Sequence, residues 1–167
     1  MNKLPFIVPD YELNFRLAKI LFILKHLSYT QRKKLHVTLD RIVMYDFLLK
    51  YPTLLNQVLI NESKKEIVLD EAEKNSIAAK YPNYVFQSER DLMKKLLLLL
   101  SHYKLIDVHK DKEIYFVINK LGLDLVLNLS SPYTEKVEEI CIALQQLRSL
   151  SFNQLLTKIN HVIQGAE

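Results

Sequence analysis

The 167-residue chain is long enough for one domain with a small appendage, and its composition of 49% apolar and 25% charged residues is ordinary for a folded protein. Its two glycines exclude a Gly-rich phosphate-binding loop, and its single cysteine excludes an internal disulfide and a cysteine-rich zinc site. The net charge of +4 is concentrated in residues 1–50, where nine Lys/Arg oppose four Asp/Glu.

The amino-terminal sequence and the apolar runs bear on location. Lys3 is followed closely by Pro5 and Pro9, which is unlike a signal peptide. The longest uncharged apolar runs, Ile20–Leu24 and Leu96–Leu100, are far too short to span a bilayer. We therefore expect a cytoplasmic protein without a membrane partner.

Apolar residues at helical spacing predict a first helix from Leu13 to Leu27, followed by a polar turn over residues 28–34. Phe22 and Ile23 widen the apolar face, so burial on more than one side is expected. The turn contains Arg32, Lys33 and Lys34, the densest positive charge of the chain and the candidate DNA-proximal residues. Such a cluster attracts phosphates by counterion release, although a solvated turn is its commoner role.

A second helix is predicted from residue 39 to about Lys50. Residues 35–37 form a candidate short strand before it, and Thr38 is a suitable N-cap. Tyr51-Pro52 should end the helix, because a residue before proline is pushed out of the α region. Residues 53–87 are predicted to be a partly mobile insertion outside the core, with a helical signal only at Asp70–Lys80 that Pro82 closes.

A third helix is predicted to begin at Ser88, which with Asp91 forms a relaxed capping box. Its expected inward face consists of leucines and one methionine: Leu92, Leu96, Leu99 and Leu100, with Met93 and Leu97 beside them. Residues 105–109 and 113–118 are rich in β-branched and aromatic side chains and flank Lys110-Asp111-Lys112. This pattern predicts a β-hairpin.

The rest of the chain is predicted to be helical. Asn119 can cap a short helix through Leu129, and Ser131-Pro132 can begin another. That helix carries a narrow apolar seam, more often used for packing within a chain than as a partner groove: Tyr133, Val137, Ile140, Leu144 and Leu147. Residues 151–154 form a capping box before a last helix.

The order of three helices and a hairpin predicts a mainly α fold with a winged helix-turn-helix core and a β-hairpin wing. The expected domain organisation is a winged-helix domain over residues 1–129, with the 53–87 insertion between its second and third helices. Residues 130–167 would form a C-terminal helical extension.

The sequence offers little for catalysis. The five histidines are dispersed without an HExxH motif, no serine lies in a nucleophile elbow, and Cys141 falls on the apolar seam, where a buried small hydrophobe is expected. Asp40 and Asp46 are six residues apart on one helix and do not share a face. We therefore expect no enzyme activity, no catalytic residues, no cofactor and no metal.

The outer face of the third helix is the place where a winged-helix protein would read DNA. It would present Arg90, Lys94, Lys95, Leu98 and His102, with no Asn or Gln for base edges. An apolar residue flanked by lysines suits a protein contact better, although the insertion could equally bury Leu98. The candidate partner interface is therefore Lys94, Lys95, Leu98 and His102, together with the wing residues Lys110 and Lys112.

Residues 39–51 and 91–122 resemble the second helix, third helix and wing of the middle components of three-component ABC defence systems. The tail also fits the closing helices of that family at Ser131, Tyr133, Leu144, Leu147 and Ile159. The resemblance covers most of the chain except residues 53–87, which are longer than the usual connection.

The resemblance implies a non-catalytic adaptor encoded between an SMC-like ABC ATPase and an effector, often a nuclease, with the Lamassu group as the best-known form. The adaptor would clasp the ATPase heads and link their DNA sensing to the effector, in defence against phage or plasmids. The absence of an ATP-binding motif from this sequence agrees with a separate ATPase subunit. DNA would be contacted indirectly or without sequence preference.

Two alternatives stay open on the sequence. A winged-helix transcription regulator would bind DNA as a dimer through the helices in residues 131–164. A stand-alone structural domain of a larger assembly would share the physical properties of the adaptor and differ only in its partners.

Overall fold

The computed structural model describes residues 12–70 and 82–165, with side chains in the second range from residue 88 onward. The elements run in chain order as α1 (Leu13–Leu27), α2 (Leu39–Lys50), α3 (Pro52–Asn61), α4 (Pro82–His102), β1 (Ile106–Lys110), β2 (Ile114–Ile118), α5 (Lys120–Leu127), α6 (Pro132–Leu144), a 3₁₀ turn (Gln145–Leu147) and α7 (Phe152–Gln164). The expected mainly α fold with one β-hairpin is thus confirmed.

Helix α1 lies at the centre of the core. It packs against α2, α4, α5, α6 and β2, and its residues Ile20–Leu24 are all buried. The expected burial on more than one side is therefore confirmed. The charged side chain of Lys19 is also only 3% exposed, and its ammonium lies 3.3 Å from the carboxylate of Asp46. Burial of this charge is tolerated because an opposite charge accompanies it.

Four helix starts are set by local capping, as predicted. The side chain of Thr38 accepts a hydrogen bond from the amide of Arg41, and that of Asn119 accepts one from the amide of Gly122. Ser131 and Ser151 each form a complete capping box. Each cap satisfies amides that have no partner inside the helix. Helix α5 ends at Leu127, two residues before the predicted end.

The hairpin also forms as predicted. Strands β1 and β2 are antiparallel, with Ile106 opposite Ile118 and Lys110 opposite Ile114. Residues 35–37, predicted as a short strand, make only an isolated bridge between Leu35 and Tyr29 and one bond from the Phe116 amide to the Val37 carbonyl. The segment is too short for a regular ladder, so that prediction holds only in part.

The expectation that residues 53–87 lie outside the core is wrong for their first part. Residues 52–61 form α3, which packs against α2 and α7. Its buried side chains are Leu54, Leu55, Val58 and Leu59. Pro52 ends α2 and at once occupies the first turn of α3, where its missing N–H costs nothing. Residues 71–80, which hold most of the predicted Asp70–Lys80 helical signal, lie outside the described residues.

The predicted start of the third helix is also wrong. Helix α4 begins at Pro82 and not at Ser88, so proline starts this helix where it was expected to close an earlier one. The buried face consists of Met93, Leu96, Leu97 and Leu100. Leu92 was expected to point inward but is 36% exposed. The buried face of α4 is centred about one residue further along the helix than the sequence pattern predicted.

The C-terminal helices share the core of the preceding elements. On the α6 seam, Val137, Ile140, Leu144 and Leu147 are buried, which confirms the predicted packing within the chain. Helix α6 packs on α1, and α7 packs on α3. One hydrophobic cluster therefore runs through residues on both sides of the proposed boundary at 129–130.

Candidate functional site

The candidate interface residues of α4 share one exposed face. Lys94, Leu98 and His102 follow at four-residue intervals with Lys95 beside them, and all four are exposed. We call these four residues the α4 surface. Leu98 is 63% exposed. Residues 71–81 of the insertion, which the alternative interpretation allowed to cover Leu98, lie outside the described residues.

Arg90, expected on the same outer face, is held elsewhere. Its Nε donates to Asp40 at 2.6 Å, which ties α4 to α2. The helix also contains Asn83 and Gln87, because it starts at residue 82; the expected absence of Asn and Gln holds only for residues 88–102. Arg90 therefore does not stand free for base contacts.

The two wing candidates, Lys110 and Lys112, are exposed at the hairpin turn. The turn is closed by a bond from the Asp111 amide to the Glu113 carbonyl at 3.0 Å. Lys110 is four strand residues beyond Ile106, about 13 Å at ~3.3 Å per residue. The tip and the α4 surface are thus separate parts of the protein surface, joined through the base of the hairpin.

The basic turn is an exposed loop closed by the Tyr29–Leu35 bridge and by a bond from the Thr30 amide to the Lys34 carbonyl. Lys33 takes a φ of +60°, and its neighbours Arg32 and Lys34 line a groove that Lys33 does not line. Of the three candidate DNA-proximal residues, Arg32 and Lys34 therefore share a concave site, and Lys33 lies outside it.

This groove, which we call the polar groove, has a volume of about 900 Å³. It lies between the basic turn, the start of α2, residue 64 and the α6–α7 connection. Its lining consists of charged, amide, hydroxyl and imidazole side chains: Thr30, Gln31, Arg32, Lys34, His36, Arg41, Lys64, Gln145, Gln146, Arg148, Ser149, Ser151 and Gln154. Five of these are Lys or Arg, and none of the described lining residues is acidic.

Hydrogen bonds between distant segments hold the walls of the polar groove. Nη2 of Arg41 donates to the Leu150 carbonyl at 3.0 Å. The amide side chain of Gln146 bonds both the amide and the carbonyl of Lys65, at 3.0 and 2.9 Å. That of Gln145 donates to the His26 carbonyl at 3.0 Å. The groove is therefore shaped before any ligand arrives.

His36, which lines the polar groove, forms a buried polar pair with Tyr45 behind it. Nε2 of His36 lies 2.7 Å from the hydroxyl of Tyr45, and Nη1 of Arg41 lies 3.3 Å from the same hydroxyl. Burial, with the charges of Arg41 and Arg148, lowers the pKa of His36 to about 4. Because Arg41 can only donate, a neutral His36 with Nε2 as the acceptor fits the arrangement. His36 thus adds no charge to the groove at neutral pH.

The low pKa of His36 predicts a stability loss on acidification. The unfolded chain takes up the proton near pH 6.5 and the folded chain only near 4, so stability is full above 6.5 and falls below it. His36→Gln keeps an acceptor for Tyr45 and should lose about 2 kcal/mol less than the wild type between about pH 7 and pH 5. Urea unfolding at the two pH values measures this difference. His109→Gln, on the exposed hairpin, is the control and should follow the wild type.

A second concave site is apolar and was not predicted. This apolar groove, of about 460 Å³, lies between α1, the end of α4 and α5. Among its lining residues Tyr103, Leu125 and Leu129 are exposed. Residues 120–129 contain more leucines than a single buried face of a short helix can hold, so some of them had to remain exposed. This leucine content was the signal in the sequence.

Reactive groups in the described part of the chain have structural roles. Cys141 is fully buried, as predicted, and burial raises the pKa of its thiol. Glu138 accepts hydrogen bonds from Lys25 and His26, which joins α6 to α1, and the bond from Lys25 lowers the pKa of Glu138.

Residues 12–70 and 82–165 contain no cluster of three or more His, Cys, Asp or Glu side chains that could hold a metal ion. None of the described helices combines the length and apolarity that crossing a membrane requires.

Comparison with known proteins identifies the family. The sequence model of the ABC-three component (ABC-3C) system Middle Component 4 family matches residues 27–157, more than three quarters of the chain. No curated protein and no solved structure gives a match. The matched range contains both the α4 surface and the polar groove, and it includes residues 53–87. The predicted resemblance to middle components is confirmed, and the chain belongs to the ABC-three component system Middle Component 4 family.

Proposed function

We propose that this protein is a non-catalytic adaptor. It connects the ATPase of its three-component system, an SMC-like ABC protein, to an effector such as a nuclease in defence against phage or plasmids. The observation that carries the proposal is the family match over residues 27–157, since a middle component works with the other components of its system. An assignment to the Lamassu group is part of the same proposal.

A winged-helix core is the fold proposed for this adaptor. The order α1, α2, α4 and hairpin supports it, with α3 inserted between the second and third helices of the motif. The bond from the Phe116 amide to the Val37 carbonyl, at 2.9 Å, also supports it, because it adds the segment before α2 to the edge of the hairpin. In this arrangement α4 takes the position of the helix that usually contacts the partner.

The α4 surface is the proposed contact with the ATPase. Protein interfaces gain most of their affinity from a few apolar or aromatic anchors inside a polar rim. Leu98 is such an anchor, 63% exposed and flanked by Lys94, Lys95 and His102. The opposite face of α4 is committed to the core, so the helix can present this surface without rearrangement. Lys110 and Lys112 at the hairpin tip would add peripheral contacts.

Leu98→Asp should abolish co-purification of the full-length protein with the ATPase of its own system, because an aspartate in a desolvated contact is left unpaired. The matched control is Leu127→Asp, since Leu127 is also 63% exposed but lies at the end of α5. Co-expression and affinity purification measure the assembly, and thermal unfolding of each variant confirms that it is folded.

Each outcome of this experiment has a distinct meaning. If the wild-type protein does not co-purify with the ATPase, the adaptor proposal is wrong. If Leu98→Asp is folded and still binds, the α4 surface is not the contact, and Leu125→Asp then tests the apolar groove. Unfolding of Leu98→Asp would show that the side chain belongs to the core, which contradicts the interface.

Base reading by α4, which a transcription regulator would need, has little support. Leu98 lies in the middle of the surface that would enter the groove, and Arg90 is bound to Asp40. Lys94 and Lys95 can contact phosphates, but phosphate contacts carry no sequence information. The adaptor remains the function that the family match and the exposed side chains support best.

A further inference from the structure

We propose that the polar groove binds the sugar–phosphate backbone of nucleic acid, without sequence preference. The site is distinct from the α4 surface, since it lies on the basic turn, the start of α2 and the α6–α7 connection. The proposal does not depend on the adaptor function, because it concerns an activity of the isolated chain.

The first argument is uncompensated charge. The five cations of the groove are Arg32, Lys34, Arg41, Lys64 and Arg148, and none of them forms an ion pair with a described carboxylate. Some basic side chains elsewhere in the described chain are paired across elements, as in Arg16 with Glu89, Arg90 with Asp40 and Lys158 with Glu62, but the unpaired ones there do not line a common groove. Positive charge gathered without counter-charge in a concave site favours a polyanion.

Arg148 provides a second, independent observation. Its Nε is buried and has no hydrogen-bond acceptor among the described residues, although Arg148 lines the groove. A buried donor without an acceptor costs about 1–3 kcal/mol, so its retention calls for a reason. Because the buried Nε is closed to ligands, an anion in the groove would not bond it, but it would balance the positive charge of the same guanidinium.

The uncharged lining indicates which anion fits. Gln31, Ser149, Ser151 and Gln154 offer hydroxyl and amide donors of the kind that contact phosphate oxygens. The described lining includes no Phe, Tyr, Trp or aliphatic side chain. Bases stack most strongly on aromatic rings of this kind. The imidazole of His36 and the guanidinium of Arg41, which can also stack, are already hydrogen-bonded to Tyr45 and to the Leu150 carbonyl. The lining therefore suits phosphodiesters whose bases point away, and it suits a nucleotide poorly.

The shape of the groove is fixed in advance by the bond that Arg41 donates to the Leu150 carbonyl and by the two bonds between the Gln146 side chain and the backbone of Lys65. A binding site that is already ordered loses little conformational entropy when the ligand arrives. His36, whose Nε2 lies 3.4 Å from Nη1 of Arg41, is neutral at neutral pH and adds no further buried charge to the groove. The positive charge of the groove is therefore carried by its five Lys and Arg side chains.

The test is a pair of charge-matched double variants. Lys34→Glu/Lys64→Glu reverses two exposed lysines that line the groove, whereas Lys33→Glu/Lys65→Glu reverses two exposed neighbours that do not. Both variants change the net charge equally. Fluorescence anisotropy of a labelled duplex DNA is measured for the full chain over a range of salt concentrations, with thermal unfolding as the check on folding.

Lys34→Glu/Lys64→Glu should weaken binding by about tenfold or more and reduce the slope of log K against log salt by about 2, whereas the control pair should change both much less. Equal losses in the two variants would show that only overall charge attracts DNA and would overturn the site. Displacement of the duplex by ATP or inorganic triphosphate at equal phosphate concentration would contradict the choice of a polymer backbone. A preference of about a hundredfold for one duplex over a scrambled one would contradict sequence-independent binding and favour a regulator.

Discussion

Gly122→Ala is expected to destabilise the protein by more than about 3 kcal/mol, a large overpacking effect. A Cβ at this position would lie 2.1 Å from the carbonyl oxygen of Leu105 and 2.9 Å from Cγ1 of Ile118. The Leu105 carbonyl cannot easily withdraw, because it accepts the Asn119 amide while the Leu105 amide donates to Leu100. The clash would therefore separate α5 from the base of the hairpin. Urea unfolding measures the loss.

Gly165→Ala is the matched control for Gly122→Ala. Gly165 lies at the exposed end of α7 in the right-handed helical region, and the nearest atom to an added Cβ is a backbone oxygen at 3.2 Å. The same chemical change should therefore alter stability by less than about 0.5 kcal/mol. If Gly122→Ala were as stable as Gly165→Ala, the close approach of α5 to Leu105 would be wrong.

Leu55→Ala is expected to cost about 4 kcal/mol, because it removes a completely buried side chain between α2, α3 and α7 and leaves a cavity. The effect decides whether α3 is part of the core or a dispensable insertion. Chemical denaturation and the shift in the thermal midpoint both report it.

Ile60→Ala on the same helix is the control for Leu55→Ala, since Ile60 is 43% exposed. It removes a similar apolar group where little cavity forms, and its cost should stay below about 1 kcal/mol. If Leu55→Ala lost as little stability as Ile60→Ala, α3 would not be part of the core, and the insertion outside the core that the sequence pattern predicted would be correct.

The capped helices and the hairpin show what could be predicted locally. Thr38, Asn119 and Ser131 each bond the amide three residues further along the chain, so the sequence pattern alone contains both partners of the interaction. The hairpin likewise follows from two short β-prone segments joined by a three-residue turn. The pattern also placed Leu98 opposite a strongly apolar helix face, but it left open whether the insertion would bury that side chain.

The errors fall where a distant part of the chain decides the outcome. Residues 53–61 carry polar neighbours, yet they become core because α7 covers their leucines. The buried charge of Lys19 is likewise compensated from a distance, by Asp46 on another helix. The phase of α4, which leaves Leu92 exposed, is likewise set by the elements it packs against and not by its own spacing.

The candidate sites divide in the same way. The sequence by itself determined the helix caps, the hairpin, the leucine-rich α4 and the basic turn, since these depend on residues within a few positions of one another. Only the tertiary structure joined Arg32 and Lys34 to Lys64 and Arg148, which are distant in sequence, and separated Lys33 from them. Charges can be counted along a chain, but whether they act on one ligand depends on distances in space, and long-range packing and hydrogen bonds set those distances.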